Sequence, residues 1–289
     1  MARNGGTAGR LILRVPLHFR AGAVIAACIL ATSYCAAAYT AELTKQFIRE
    51  QRSLNVNGVQ ETWQLIWDGK PGTACGPDEV FMAITCPCSG WAYGEYGRLS
   101  LIRLRSGHKT ERMDLRPLFG NFDYPEYDKV KGAAILQRWP MLADDFDREH
   151  RGDPSLVLDI KRRPASKIMQ FADYDHDGQA TELLVQVGEM PCGKLEFAAV
   201  GLSAENPHLH ALASREHPKD PLMMPSDAWQ ALLKNSGPTR VTTLTCGDHG
   251  SDVWLDLVVS ASGGLIHVRE EEFSCVNDRA GQLIKETVW

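Results

Sequence analysis

The sequence predicts a mainly β protein: an antiparallel β-rich domain, propeller-like or sandwich-like, with a few short helices. Three observations carry this. Short apolar runs recur along the chain, and several alternate cleanly, so that Val253, Leu255, Leu257 and Val259 fall on one face of a strand. Turn residues punctuate them, as in Asp68-Gly69, Ser106-Gly107, Pro191-Cys192-Gly193 and Ser262-Gly263-Gly264. Helical signals are few and short.

In chain order, residues 41–52 place Leu43, Phe47 and Ile48 on one helical face and predict a helix leading into the domain. Strands are expected at 63–67, 80–85 and 99–104. The stretch 117–154 is aromatic and acidic, with a short helix expected over 131–138. It marks a surface excursion that divides the domain into two halves, if division exists. Leu156, Leu158 and Ile160 alternate and predict a strand over 156–160, with Lys161-Arg162-Arg163 as its solvated end. Further strands follow at 168–171, 183–187, 195–200, 241–245, 253–259 and 265–268. One late helix is well signalled: Ser226 as N-cap, then Trp229, Leu232 and Leu233 on one side, and Gly237-Pro238 as the stop.

The N-terminus reads as an export signal. Residues 1–20 are polar and basic, 21–31 form an apolar core, and Ala36-Ala37-Ala38 supplies a small-residue site that fits cleavage after Ala38. Residues 39–289 are then the exported domain, secreted or periplasmic. The competing reading keeps 21–39 as an uncleaved anchor that holds a cell-envelope protein on the membrane, although Thr32, Ser33 and many alanines make a weak span. No other segment is apolar enough for a membrane contact. The whole chain carries −5, and removing the four arginines of residues 1–38 leaves 27 basic against 36 acidic residues, a balance of −9. That excludes a nucleic-acid surface, which needs clustered positive charge.

Six cysteines lie beyond the signal: Cys75, Cys86, Cys88, Cys192, Cys246 and Cys275. An even number in an exported chain predicts disulfides. Cys86 and Cys88 point to opposite faces of an extended segment, so they are expected to bond to different partners. Thiolate binding of Zn²⁺ would need a C-x₂₋₄-C spacing that the chain lacks.

The motif that carries chemistry is Asp173-Tyr-Asp175-His-Asp177-Gly178-Gln179-Ala180-Thr181-Glu182. Three alternating carboxylates followed by Gly suit a hard cation such as Ca²⁺, which takes six to eight oxygens at about 2.3–2.6 Å. Asp173, Asp175 and Asp177 converge when the chain coils, Gly178 permits the turn, and Gln179 offers its carbonyl. Thr181 and Glu182 compete for the last position. Without a cation the three acids repel one another. Position 12 is Leu184, not Glu, which argues against an EF-hand.

The stretch Phe171-Ala172-Asp173-Tyr-Asp175-His-Asp177-Gly178, followed by Glu182-Leu183-Leu184-Val185, resembles the calcium loops of FG-GAP and VCBS repeats. The resemblance covers about residues 168–200 and implies a Ca²⁺ loop between two strands, as in integrin-type β-propellers and related secreted proteins. The family's acid at position 9 is here Thr181, with Glu182 one residue on. A weaker echo recurs about 70 residues later, where Asp248-His-Gly-Ser-Asp252 leads into Asp256-Leu-Val-Val259 and then Gly263-Gly264, as a blade-like repeat would.

No catalytic motif is present: there is no G-x-S-x-G, H-E-x-x-H or phosphate loop. His208 and His210 share one face of a short extended segment without an accompanying Glu and read as solvated. Cys246 and His249 are too close in sequence to face each other as a nucleophile pair, and Cys246 reads as half of a disulfide. Trp91, Tyr93 and Tyr96, set among glycines, would form an aromatic surface for a carbohydrate or protein ligand if they do not pack inward. The expected function is an exported Ca²⁺-binding β-rich module, binding or structural. The alternatives are a secreted hydrolase and the anchored envelope protein already named.

Overall fold

The computed structural model describes residues 45–74, 91, 93–119, 132–190 and 194–289. The expected export signal, the strand expected at 80–85, and Cys75, Cys86, Cys88 and Cys192 lie outside them. The protein is mainly β, with antiparallel sheets and, among the described residues, three short helices and no closed barrel. Its strands are β1 (Gln46–Val56), β2 (Val59–Asp68), β3 (Gly72–Ala74), β4 (Gly94–Gly97), β5 (Leu99–Arg105), β6 (Glu111–Asp114) and β7 (Ala134–Gln137). Helices α1 (Asp145–His150) and α2 (Leu156–Arg162) follow. Then come β8 (Phe171–Ala172), β9 (Glu182–Met190), β10 (Lys194–Gly201), β11 (His210–Ala211) and β12 (Met223–Pro225). The chain closes with α3 (Ser226–Lys234), β13 (Thr239–Leu244), β14 (Val253–Ser262), β15 (Leu265–Val276) and β16 (Arg279–Val288).

Three successive antiparallel meanders organise these strands: β1-β2-β5-β6, then β8-β9-β10-β11 with β12 added beside β10, then β13-β14-β15-β16. A small sheet, β3-β4-β7, is inserted near the first. The second sheet is the centre of the packing. One of its faces sends Leu183, Val185, Val187, Ala198 and Val200 into a core shared with Trp63, Leu65, Trp67, Leu99 and Leu101 of the first sheet. From its other face Ala199 and Phe197 pack with Trp229 and Leu232 of α3 and with Leu257, Val259 and Val268 of the third sheet. A strand buried on both faces reads as a continuous apolar run, which explains the Leu183-Leu184-Val185 pattern. The first core draws on residues from both sides of 117–154, so that stretch does not separate two cores, and Lys45–Trp289 form one compact unit.

Of the helix expected at 41–52, residues 46–52 are instead part of β1, and 41–44 lie outside the described residues. Asn57 and Gly58 both take positive φ, 52° and 80°, and make a two-residue turn that sets Val56 against Val59 and carries the pairing out to Gln46 and Asp68. Turn chemistry thus outweighs the weak helical spacing. The strand expected at 156–160 is α2: Leu156 and Ile160 are buried four residues apart while Leu158 is 54 % exposed, a helical period and not a strand's. Lys161 and Arg162 close its last turn. Arg163, expected to be solvated, clasps buried Asp145 with two bonds of 2.5 and 2.6 Å. The helix expected at 131–138 is strand β7, whose fully buried Ala134-Ile135-Leu136 fill the slot beside β4. Of the strand expected at 168–171, only Phe171 is paired, with Ala172, while the N–H groups of Ile168 and Met169 donate to Glu50. The late helix stands where expected, with Pro225 at its cap and Ser226 as its first residue.

A buried ion pair within the first sheet also reaches the segment between β10 and β11 of the second. Arg103 meets Glu61 through two bonds of 2.6 Å, and its third nitrogen donates to the Pro207 carbonyl at 2.7 Å. Trp63 donates to the same Glu61 carboxylate at 3.0 Å, so the charge is fully partnered. Among the described residues no helix is long and apolar enough to cross a membrane.

One disulfide is described, Cys246–Cys275, with Cα atoms 5.7 Å apart. It joins the loop after β13 to the end of β15 and closes a loop of 29 residues. Constraining that much unfolded chain contributes about 3 kcal/mol. Replacing both cysteines by alanine is therefore expected to lower unfolding free energy in urea by about that amount, without changing the far-ultraviolet spectrum. Non-reducing peptide mapping should recover Cys246 and Cys275 in one linked fragment. Free thiols at both positions in the oxidised protein would contradict the pairing.

Candidate metal centre

The loop between β8 and β9 is closed at its base by two ladder pairs, Phe171 with Leu183 and Ala172 with Glu182. This pairing folds residues 173–181 back over Glu182. Within the loop, backbone N–H groups point at the carboxylates. Asp177 N donates to Asp173 and to Asp175 at 3.1 Å each, Gly178 N to Asp173 at 3.1 Å, and Gln179 N to Asp177 at 2.8 Å. These are the local bonds by which Asp side chains shape turns. Gly178 sits at φ +93°, a conformation that a side chain would disfavour, as the sharp turn required.

The result gathers Asp173, Asp175 and Glu182. One carboxylate oxygen from each lies within 4.8 Å of the others, and no other such group of His, Cys, Asp or Glu occurs among the described residues. Asp175 and Glu182 are completely buried. The Glu182 carboxylate is aimed by three donors: Thr181 Oγ1 at 2.7 Å and Thr181 N at 3.2 Å on one oxygen, Tyr174 N at 2.8 Å on the other. Asp175 Oδ2 is buried and has no hydrogen-bond partner. No Lys, Arg or His forms an ion pair with any of these acids among the described residues.

Burial, followed by repulsion from Asp177 and Asp173, pushes the Asp175 carboxyl up to about 7. Burial also pushes Glu182 up to about 8, with Asp175 and Asp177 adding to the rise. Asp177 is raised by burial and by Asp173, against the pull of the Gln179 N–H. Such a site either takes up protons or binds a cation. A group of carboxylate oxygens within reach of one point, one of them unpartnered, can hold a metal ion.

Of the six residues expected as ligands, Asp173, Asp175 and Glu182 converge in this group. Asp177 lies outside it and turns one oxygen toward Gln179 N. The Gln179 carbonyl accepts Thr181 N at 3.0 Å. Thr181 acts on Glu182 and so positions it. Glu182 shares the loop's interior with Asp173 and Asp175, with Thr181 hydrogen-bonded to its carboxylate.

The remaining candidates are dispersed. His208 is 71 % exposed and lies 3.4 Å from Glu111. His210 holds the His208 carbonyl at 2.8 Å and so makes no ligand pair with it. Cys246 is in the disulfide, which rules it out as a nucleophile. Trp91 and Tyr93 are buried and Tyr96 packs partly buried against the core, so these three form no exposed aromatic platform. No family model, curated protein or solved structure matches the chain.

The sign of the pH response follows from the raised carboxyls. In metal-free protein the folded state holds protons that the unfolded chain releases near pH 4, so folding stability falls as pH rises through about 7 and 8. Melting in chelator is expected to drop by roughly 5 °C or more between pH 5.5 and 8.5. Asp175→Asn should flatten that slope. A wild-type melting temperature that rises across this range in chelator would contradict the assignment.

Proposed function

We propose that the protein is an exported β-rich module that binds one Ca²⁺ at the 173–182 loop, and that the ion serves a structural role. The observation that carries this reading is the completely buried, unpartnered oxygen of Asp175 beside Asp173 and Glu182. Oxygens within 4.8 Å of one another can share one cation. Mg²⁺ demands a near-ideal octahedron and gives up its waters reluctantly, so it suits an all-protein cage less than Ca²⁺ does. All-oxygen donors without thiolate or imidazole favour a hard cation.

The exported address is supported by the N-terminal pattern and by the Cys246–Cys275 bond, since disulfides persist in oxidising compartments. Outside the cytoplasm Ca²⁺ is plentiful, which suits a permanent structural ion and not a switch. The FG-GAP and VCBS-like reading of residues 168–200 gains support from the setting of the loop, which enters the inner strand of a four-stranded meander. The echo at 248–252 enters β14 of the next meander in the same way. There the disulfide replaces the acidic cluster as the element that ties the loop down.

Thermal unfolding tests the proposal. Adding Ca²⁺ at about a hundredfold over its dissociation constant should raise the melting temperature by about 5–10 °C. The same concentration of Mg²⁺ should do less. Asp175→Asn should melt higher than wild type in chelator at pH 8, because one buried charge is gone, and should gain nothing from Ca²⁺. Identical melting of both proteins with and without Ca²⁺ would sink the metal assignment.

A further inference from the structure

The ligands of the candidate centre all come from the second sheet, but its closure comes from the third. The two-residue turn between β14 and β15, Gly263-Gly264, lies directly on the loop. Gly263 N donates to the His176 carbonyl at 3.1 Å and Gly264 N to the Asp175 carbonyl at 3.0 Å. A Cβ at Gly264 would stand 3.6 Å from Asp175 Oδ2 and 3.2 Å from the Ala204 side chain, so this turn is part of what excludes water from the unpartnered oxygen. Two more contacts join the loop to the neighbouring helix. His176, held at φ 54°, donates from Nε2 to the Leu232 carbonyl of α3 at 2.6 Å, and Tyr174 meets Trp229 edge-on at 5.7 Å. Each residue from Tyr174 to His176 thus touches α3 or the third sheet while its neighbours in the loop carry the carboxylates.

We infer that cation binding at the 173–182 loop and docking of the Gly263-Gly264 turn are one coupled event, the turn acting as a lid that closes over the occupied site. The inference rests on the reading of the loop as a Ca²⁺ site. Its logic is that of linkage: if the closed lid buries Asp175 against water, an ion that neutralises Asp175 favours the closed state, and closure favours the ion by the same factor. The same closure sets Gly264, Leu265 and Ile266 as one wall of a cleft of about 420 Å³, opposite Ser203, Asn206 and His210. Ion binding is therefore expected to stabilise this wall of the cleft.

Two measurements on the full chain test the coupling. In wild type, hydrogen exchange with and without Ca²⁺ should show added protection at 173–182 and also at the β14–β15 turn and at the end of α3 around Leu232. Titration calorimetry then compares two glycine variants, both at positive φ. Gly264→Ala, whose Cβ meets Ala204 and Asp175, should bind Ca²⁺ at least about tenfold more weakly. Gly263→Ala, whose Cβ meets nothing within 4 Å, should bind close to wild type. Protection confined to 173–182, or equal Ca²⁺ affinity in both variants, would overturn the coupling and leave the site standing. Absence of any Ca²⁺ binding by wild type would overturn both. The exchange comparison needs only wild-type protein, so it decides the matter even if Gly264→Ala does not fold.

Discussion

The structure is organised around a charge problem: Asp175 and Glu182 are completely buried, face a third carboxylate, and have no cationic side chain in reach among the described residues. Unpaired buried carboxylates are expensive, and the cost shows in the elevated proton affinity of both groups. The protein's other buried acids are handled differently. Glu61 is matched by Arg103 and Trp63, and Asp145 by Arg163 and the Leu142 N–H. A chain that partners its buried acids with arginine elsewhere leaves these without one. In the proposed function a bound cation takes the place of that arginine.

The cost is sustained by the surroundings. The second sheet is buried on both faces and fixes β8 and β9, whose short ladder closes the loop and sets Glu182 at its base. Backbone donors from 174, 177, 178, 179 and 181 hold the carboxylates in place. The third sheet and α3 then cover the loop through Gly263, Gly264, Trp229 and Leu232. Local turn chemistry makes the arrangement, and packing between sheets makes it dry.

Much of this was legible in the residues. Alternation in 253–259 and the run at 183–187 gave real strands, and the helix at 226–234 followed from its cap region and its Gly-Pro stop. Where reading failed, two physical signals competed. Leu156, Leu158 and Ile160 satisfy a strand's period of two, yet Leu156 and Ile160 also stand one helical turn apart, and burial chose the latter. Residues 41–52 carry apolar side chains at helical spacing, but Asn57-Gly58 impose a hairpin on 46–56. Trp91 and Tyr93 looked available for a ligand because aromatics among glycines can do either, and they pack inward. In the site itself the carboxylate spacing and Gly178 marked the loop that brings Asp173 and Asp175 beside Glu182. The contact of Gly263-Gly264 with the loop was not legible, because these residues read only as a turn until the third sheet is placed beside residue 175.

The central claim is that the buried carboxylates are occupied by a Ca²⁺-like ion. Terbium luminescence tests it directly, since Tb³⁺ takes oxygen sites of Ca²⁺ size and Tyr174 and Trp229 stand beside the loop as sensitisers. The account predicts sensitised emission that saturates at one ion per chain, is displaced by Ca²⁺, and is lost in Asp175→Asn. Absence of emission from wild type, or emission unchanged by Asp175→Asn, would contradict it.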